Sequence, residues 1–243
     1  MQRFPPFPLI AMTTPLLLLP GLLNDADLWQ AQRRDLADIA DCQVADLTAH
    51  DDLDALVQAV LDAAPARFAL AGFSLGGWVA QHILRRAPQR VDRLALIGTS
   101  YLPDSPERAA QRAKQQALVA VAGNFHGFGN SMMRRYVDAS RLDDVGLRDT
   151  VRGMTTRLGP AVFLRQNALP RLDGRDVLQG YAAPALVLCG ANDGITPMQR
   201  SREMAAMMPA SELVELADCG HLAPLEQPLA VSAALRRWLL RRA

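Results

Sequence analysis

The feature that most narrows what this chain can fold into is Gly72-Phe73-Ser74-Leu75-Gly76, a serine with glycine two places to either side, set between a strand-like and a helix-like run. Arg67-Phe68-Ala69-Leu70-Ala71 reads as a short buried strand, and Trp78, Val79, Ile83 and Leu84 recur at helical spacing beyond the serine. A chain that leaves a strand and enters a helix within so few residues crowds its own backbone, and side chains at 72 and 76 would obstruct the turn. Such a turn lifts the serine hydroxyl above a sheet at a helix N-terminus, which makes Ser74 a candidate nucleophile. Gly77 extends the run of small residues and predicts a helix packed closely on its neighbouring strand.

A hydroxyl attacks little at neutral pH without a base to take its proton and an acid to hold that base. Of the four histidines, His50 lies in a polar stretch and His82 within the helix after Ser74, and both read as structural or exposed. His126 sits in Gly123-Asn124-Phe125-His126-Gly127, where a substrate contact and a solvated loop residue are comparable readings. His221 differs: it follows the strand-like Glu212-Leu213-Val214-Glu215-Leu216 near the C-terminus, where a loop base would reach the serine. Asp193 follows the apolar run Ala185-Leu186-Val187-Leu188-Cys189 and is the candidate acid. Ser74, Asp193 and His221 thus all fall after strand-like runs, a coincidence much harder to obtain by chance than a single motif.

Strand-like runs near 16–19, 42–47, 67–71, 93–98, 184–189 and 211–216 alternate with helix-like runs near 27–40, 52–63, 75–87, 198–207 and 228–241. That alternation predicts an α/β fold with a mostly parallel sheet flanked by helices. It is interrupted between Gly98 and Pro184 by a long stretch with helical periodicity and no convincing strand. The expected organisation is a core formed by 1–102 and 181–243, with a helical cap, 103–180, inserted after the fourth strand-like run.

The chain resembles the α/β-hydrolase superfamily from about Pro15 to its C-terminus. Leu17-Leu18-Leu19-Pro20-Gly21-Leu22-Leu23 looks like the oxyanion strand and turn, Gly72 to Gly76 like the nucleophile elbow, and Gly190 to Pro197 like the acid loop. Gly220-His221-Leu222-Ala223-Pro224-Leu225-Glu226-Gln227-Pro228 is similar to the histidine loop of the small bacterial esterase branch. The order Ser74, Asp193, His221 matches the superfamily's nucleophile, acid and base. The resemblance implies backbone N–H donors at Leu22 and Leu75 for an oxyanion. Many members have His-Gly where this chain has Pro20-Gly21, a difference of small consequence because the donors are amides. Some relatives place the acid after the fourth strand, so Asp104 is the reserve candidate. Relatives that use a carboxylate nucleophile are excluded by Ser74, and Leu222 stands where carbon–carbon bond hydrolases usually carry Trp.

The implied activity is hydrolysis of a carboxylic ester with a small or medium acyl group, by a serine esterase. Enol-lactonase and carrier-protein methyl ester esterase are the nearest alternatives. A non-hydrolytic lyase or haloperoxidase, or a ligand-binding protein, would share the fold. No metal or organic cofactor is called for. In the cap, Phe125, Phe128 and Met132 are candidate substrate contacts, as are Trp29 and Leu222 in the core; Met133, Tyr136 and Phe163 could also line an apolar pocket. Arg134, Arg135, Arg141, Arg148, Arg152, Arg157 and Arg165 offer a surface for an acidic carrier protein, although a solvated helix face with local aspartate partners is the favoured reading. One arginine could instead project inward toward a substrate carboxylate, as in enol-lactonases.

Among 243 residues, 50% are hydrophobic and 21% charged, with a net charge of +1, so nothing favours nucleic acid or a membrane as partner. Cys42, Cys189 and Cys219 show no close pair spacing, which fits a cytoplasmic location better than a disulfide framework. The apolar run Leu16 to Leu19 is too short for a signal peptide and leads directly into the oxyanion turn. Met12 is an alternative start to Met1, because Met12-Thr13-Thr14-Pro15 runs straight into the first strand.

Overall fold

The computed structural model describes residues 13–121 and 125–242. Met1 and Met12, the alternative starts, lie outside the described residues. The first half alternates β1 (Thr14–Leu19), α1 (Gln30–Asp35), β2 (Ala40–Val44), α2 (Leu53–Ala63), β3 (Phe68–Phe73), α3 (Leu75–Arg86) and β4 (Val91–Ile97). Four helices follow among the described residues: α4 (Pro106–Ala120), α5 (Asn130–Tyr136), α6 (Val145–Ala168) and α7 (Arg175–Gln179). The chain then closes with β5 (Ala185–Gly190), α8 (Met198–Met207), β6 (Ser211–Leu216), α9 (Ala223–Glu226) and α10 (Pro228–Leu240). A 3-10 turn at Ala26–Trp29 precedes α1, and α6 is broken at Gly159, where φ is 73°, just before Pro160.

The strands form one six-stranded parallel sheet in the order β2-β1-β3-β4-β5-β6. Each of the six strand-like runs is a strand. The second begins earlier than its sequence pattern suggests, because α1 stops at Asp35 and a turn closed on the Leu36 carbonyl leads directly to Ala40, paired with Thr14. The central strands β3 and β5 are buried along their whole length, whereas the edge strands β2 and β6 alternate between covered and accessible residues. Continuous apolar runs therefore mark strands covered on both faces.

Side-chain alternation divides the core into two layers. Leu16, Leu18, Ala71, Phe73, Ile97 and Leu188 face one layer with Trp29, Leu235 and Trp238. Leu17, Leu19, Leu70, Leu94, Leu96 and Val187 face the other with Leu56, Val60, Val79, Ile83 and Met204. Each fully buried aliphatic side chain contributes about 1.5–3 kcal/mol relative to exposure, so the sheet is anchored well away from any single loop.

This topology positions the site. β1 connects onward to β2 on one side and its neighbour β3 connects onward to β4 on the other, so the connections leaving the C-terminal ends of these two strands diverge and open a crevice between them. Because all strands are parallel, the residues that follow β1, β3, β5 and β6 emerge at the same sheet edge. Those residues include Leu22, Ser74, Asp193 and His221.

Candidate active site

Ser74 lies between β3 and α3 with φ 51° and ψ −113°. A non-glycine residue held there costs on the order of 1–3 kcal/mol, and its surroundings leave it little choice. Its N–H donates to the Ile97 carbonyl at 2.9 Å, and its own carbonyl accepts from Gly77 N–H at 2.9 Å and the Thr99 hydroxyl at 2.8 Å. The flanking glycines are required by close approach: a Cβ on Gly72 would strike the Gly76 carbonyl, and one on Gly76 would strike the carbonyls of Leu19 and Pro20.

The structure brings Ser74, His221 and Asp193 together. His221 Nε2 lies 2.9 Å from Ser74 Oγ, and His221 Nδ1 lies 2.7 Å from Asp193 Oδ2. Both the His221 and Asp193 side chains are fully enclosed. Asp193 Oδ1 accepts the amides of Ile195 and Thr196, each at 2.8 Å. The second oxygen is thereby left to the imidazole, so Nδ1–H donates to Asp193 and Nε2 is free to accept from Ser74. The imidazole is packed between Phe73, with ring centroids 5.0 Å apart, and the edge of Tyr136, at 5.2 Å and 85°. Burial pushes the Tyr136 phenol up to about 12, so the ring stays neutral beside His221.

Glu226 reads from the sequence as a cap or brace of the last helix, and the structure gives it another task. Its buried carboxylate accepts the amides of Asp138 at 2.8 Å, Gly220 at 2.9 Å and Leu222 at 2.8 Å. His221 N–H donates to the Tyr136 carbonyl at 2.7 Å, so the loop carrying the histidine is tied both to α9 and to the end of α5. Burial lifts the Glu226 carboxyl above its ordinary range, with the amide donors opposing that shift.

Leu22 and Leu75 line the same cavity as Ser74. Leu75 is the first residue of α3, one of the positions whose amide has no intrahelical acceptor. Beside Leu22, Leu23 adopts φ 54° and donates its amide to Gln166 Oε1 at 2.8 Å, while Gln166 Nε2 donates to the Leu47 carbonyl at 3.0 Å. Gln166 is completely buried on α6. Sequence reasoning missed it; the available signal was a glutamine one helical turn beyond Val162 and Phe163.

The cavity over Ser74 has a volume of about 280 Å³. Phe125, Phe128 and Met132 line it, together with His126, Phe163 and Trp78. Trp29 and Leu222 are not among the lining residues. Trp29 is fully buried in the layer that holds Leu235 and Trp238, because the 3-10 turn directs it under the sheet. Leu222 is likewise enclosed, with its amide held by Glu226. Asp104, the reserve acid, lies 2.7 Å from Arg112 Nε, and His221 instead meets Asp193.

Several of the arginines considered for a carrier-protein surface are engaged within the molecule. Arg157 pairs with Asp25 and Asp27 at 2.6 Å, Arg165 donates to the Thr48 carbonyl at 2.7 Å, and Arg152 donates to Asn130 at 2.9 Å. Arg141 pairs with Asp144 at 2.7 Å and donates to the Glu226 carbonyl. Arg135 lines the cavity, joined there by Arg108, Arg112 and Arg171, which lie outside that predicted set.

The profile of the alpha/beta hydrolase family matches residues 13–234 of the sequence. The chain belongs to the alpha/beta hydrolase family. Within it, the chain is 30% identical over 188 residues to a pimeloyl-[acyl-carrier protein] methyl ester esterase of Aromatoleum aromaticum, covering 72% of this chain and 75% of that one. A malate-bound structure of a thermophilic esterase from Thermogutta terrifontis is 30% identical, with a TM-score of 0.81 over 94% of this hydrolase and 90% of its own length. The enol-lactonase of Burkholderia xenovorans LB400 has the same TM-score of 0.81 at 21% identity, covering 95% and 92% of the two chains, a likeness of fold. Among the described residues of this family member no His, Cys, Asp and Glu cluster could hold a metal ion, and no helix is long and apolar enough to cross a membrane. All three cysteines are free thiols.

Proposed function

We propose that this enzyme of the alpha/beta hydrolase class is a carboxylic ester hydrolase that works through an acyl-enzyme on Ser74. The observation that carries this reading is the unbroken relay from Ser74 Oγ to His221 Nε2, at 2.9 Å, and from His221 Nδ1 to Asp193, at 2.7 Å. His221 Nε2 takes the hydroxyl proton as Oγ forms a bond to the ester carbonyl carbon. The amides of Leu22 and Leu75 face the developing oxyanion, and Asp193 holds the imidazole in the Nδ1–H tautomer and offsets its positive charge. Collapse of the tetrahedral intermediate breaks the carbon–oxygen bond to the leaving alkoxide, which receives the proton from His221. Water then gives a proton to His221, attacks the acyl carbon, and releases the acid as the proton returns to Ser74.

In this reading the helical segment 103–180 acts as a cap that sets substrate choice, because α4, α5 and α6 contribute the cavity wall opposite the nucleophile. The intramolecular partners of Arg141, Arg152, Arg157 and Arg165 favour a small-molecule ester over a carrier-bound one. The test is hydrolysis of p-nitrophenyl esters from acetate to dodecanoate by wild type and Ser74→Ala. Turnover that peaks at one chain length and disappears in Ser74→Ala is expected. Equal rates in the two proteins on every ester would remove Ser74 from the chemistry.

A further inference from the structure

The cavity has two chemically different walls. Phe125, Phe128, Met132 and Phe163 form an apolar side, while Arg108, Arg112, Arg135 and Arg171 are cationic and Asp104 is the carboxylate among the lining residues. Asp104 is shared: its Oδ2 lies 2.7 Å from Arg112 Nε and its Oδ1 lies 3.9 Å from Arg108 Nε. The contact with Arg112 has ion-pair separation without an aligned hydrogen bond, so Arg112 Nε and Asp104 Oδ2, both enclosed, have no hydrogen-bond partner among the described residues.

Arg171 is held on two sides. One of its Nη1 donors is used by the Leu169 carbonyl at 2.7 Å, and its guanidinium lies 5.3 Å from the centre of the Trp78 ring. Burial presses its pKa downward, helped by nearby Arg112 and Arg108 and opposed by Asp104. A guanidinium held this way is costly unless something anionic completes it. It has no part in the hydrogen bonds of Ser74, His221 or Asp193. Its partner Trp78 stands one helical turn beyond Ser74 on α3, which puts the cationic wall a few methylenes from the nucleophile.

We infer that the substrate is an ester that itself carries a carboxylate, such as a half-ester of a short dicarboxylic acid, with the carboxylate received by Arg171 and Arg112 and its methylenes lying along the aromatic wall. This specifies the substrate class of the esterase reading above and rests on it. A guanidinium presents parallel N–H donors that match a carboxylate; Arg112 Nη1 and Arg171 Nη1 converge on the Leu169 carbonyl at 3.1 and 2.7 Å, and Asp104 is divided between Arg112 and Arg108, so one carboxylate serves the cationic wall. The ester carbonyl then reaches Ser74 while the charged end stays fixed, an arrangement that orients the reacting bond.

The test compares monomethyl adipate with methyl hexanoate, equal in acyl length and different in charge, by pH-stat titration. The expected kcat/KM is higher for monomethyl adipate by about tenfold or more, the worth of one charge-assisted hydrogen bond. The preference shrinks with added salt in the wild type, a readout that needs no variant, and it shrinks again in Arg171→Gln. Equal or reversed preference overturns the inference. Should neither ester be hydrolysed, the p-nitrophenyl ester series decides the esterase reading, and calorimetric titration of adipate into Ser74→Ala decides the carboxylate site. Saturable binding weakened by Arg171→Gln upholds the carboxylate site, and absence of binding overturns it.

Discussion

Replacing Gln166 by leucine isolates the support of the turn that carries the Leu22 amide. In the wild type the carboxamide satisfies Leu23 N–H at 2.8 Å and the Leu47 carbonyl at 3.0 Å, both across a fully buried position. Leucine has similar bulk and no polar atoms, so both backbone groups lose their partner. Each buried unpaired group costs about 1–3 kcal/mol, and the added apolar contact of leucine returns roughly 1 kcal/mol. The net loss should be about 1–5 kcal/mol, against the 5–15 kcal/mol typical of a folded domain, so the variant is expected to fold. Leu23 sits at φ 54°, a conformation that the lost hydrogen bond helps to hold, so the turn relaxes and carries Leu22 N–H away from the oxyanion position. Removing such a donor outright costs about 100-fold or more, so a displaced one should lower kcat by about tenfold while KM changes little, because the oxyanion exists only in the transition state. Urea unfolding gives the first quantity, and steady-state ester hydrolysis below the unfolding transition gives the second. A variant destabilised as calculated but with kcat within about twofold of wild type would refute the link between Gln166 and the oxyanion turn.

Three further outcomes follow from the same geometry. Asp193→Asn presents an amide where His221 Nδ1–H needs an acceptor, and kcat should fall by about 10⁴ with the fold intact; a loss below tenfold would show that His221 does not depend on this partner. Gly76→Ala forces a methyl group against the Leu19 and Pro20 carbonyls, so both melting temperature and kcat should drop, and a variant that melts with wild type would contradict the close approach. Because burial raises the Glu226 carboxyl in the folded state, its contribution is fully present below the ordinary glutamate range and is lost as pH rises through the raised value. The stability advantage of wild type over the non-titrating Glu226→Gln should therefore be largest in acid and smaller at neutral pH. Urea denaturation of both proteins from pH 4 to 8 checks it, and an advantage that grows with pH reverses the sign.

What the sequence discloses here depends on how far apart the interacting residues lie in the chain. The sheet was legible because burial on both faces leaves a local mark, the unbroken apolar runs of β3 and β5, and the elbow because its glycine-serine-glycine spacing is itself local, with Gly72 answering to the Gly76 carbonyl four positions on. Ser74, Asp193 and His221 could be proposed as neighbours without any long-range contact in hand, since each follows a strand and parallel strands share one edge. Side-chain direction in the connections leaves no such mark. Trp29 reads equally well as a pocket residue or a core residue until the 3-10 turn before α1 sends it beneath the sheet. The arginines from 134 to 165 form a conspicuous run, yet Arg108, Arg112 and Arg171 reach the cavity while Arg157 and Arg165 fasten α6 to the loops after β1 and β2. Gln166 meets Leu23 across 143 positions, and nothing local separates a glutamine that faces solvent from one that holds a strained turn. The core of such a hydrolase therefore announces its chemistry in short-range turn geometry. The cavity's charged wall depends on helix packing, which is why it became visible only in three dimensions.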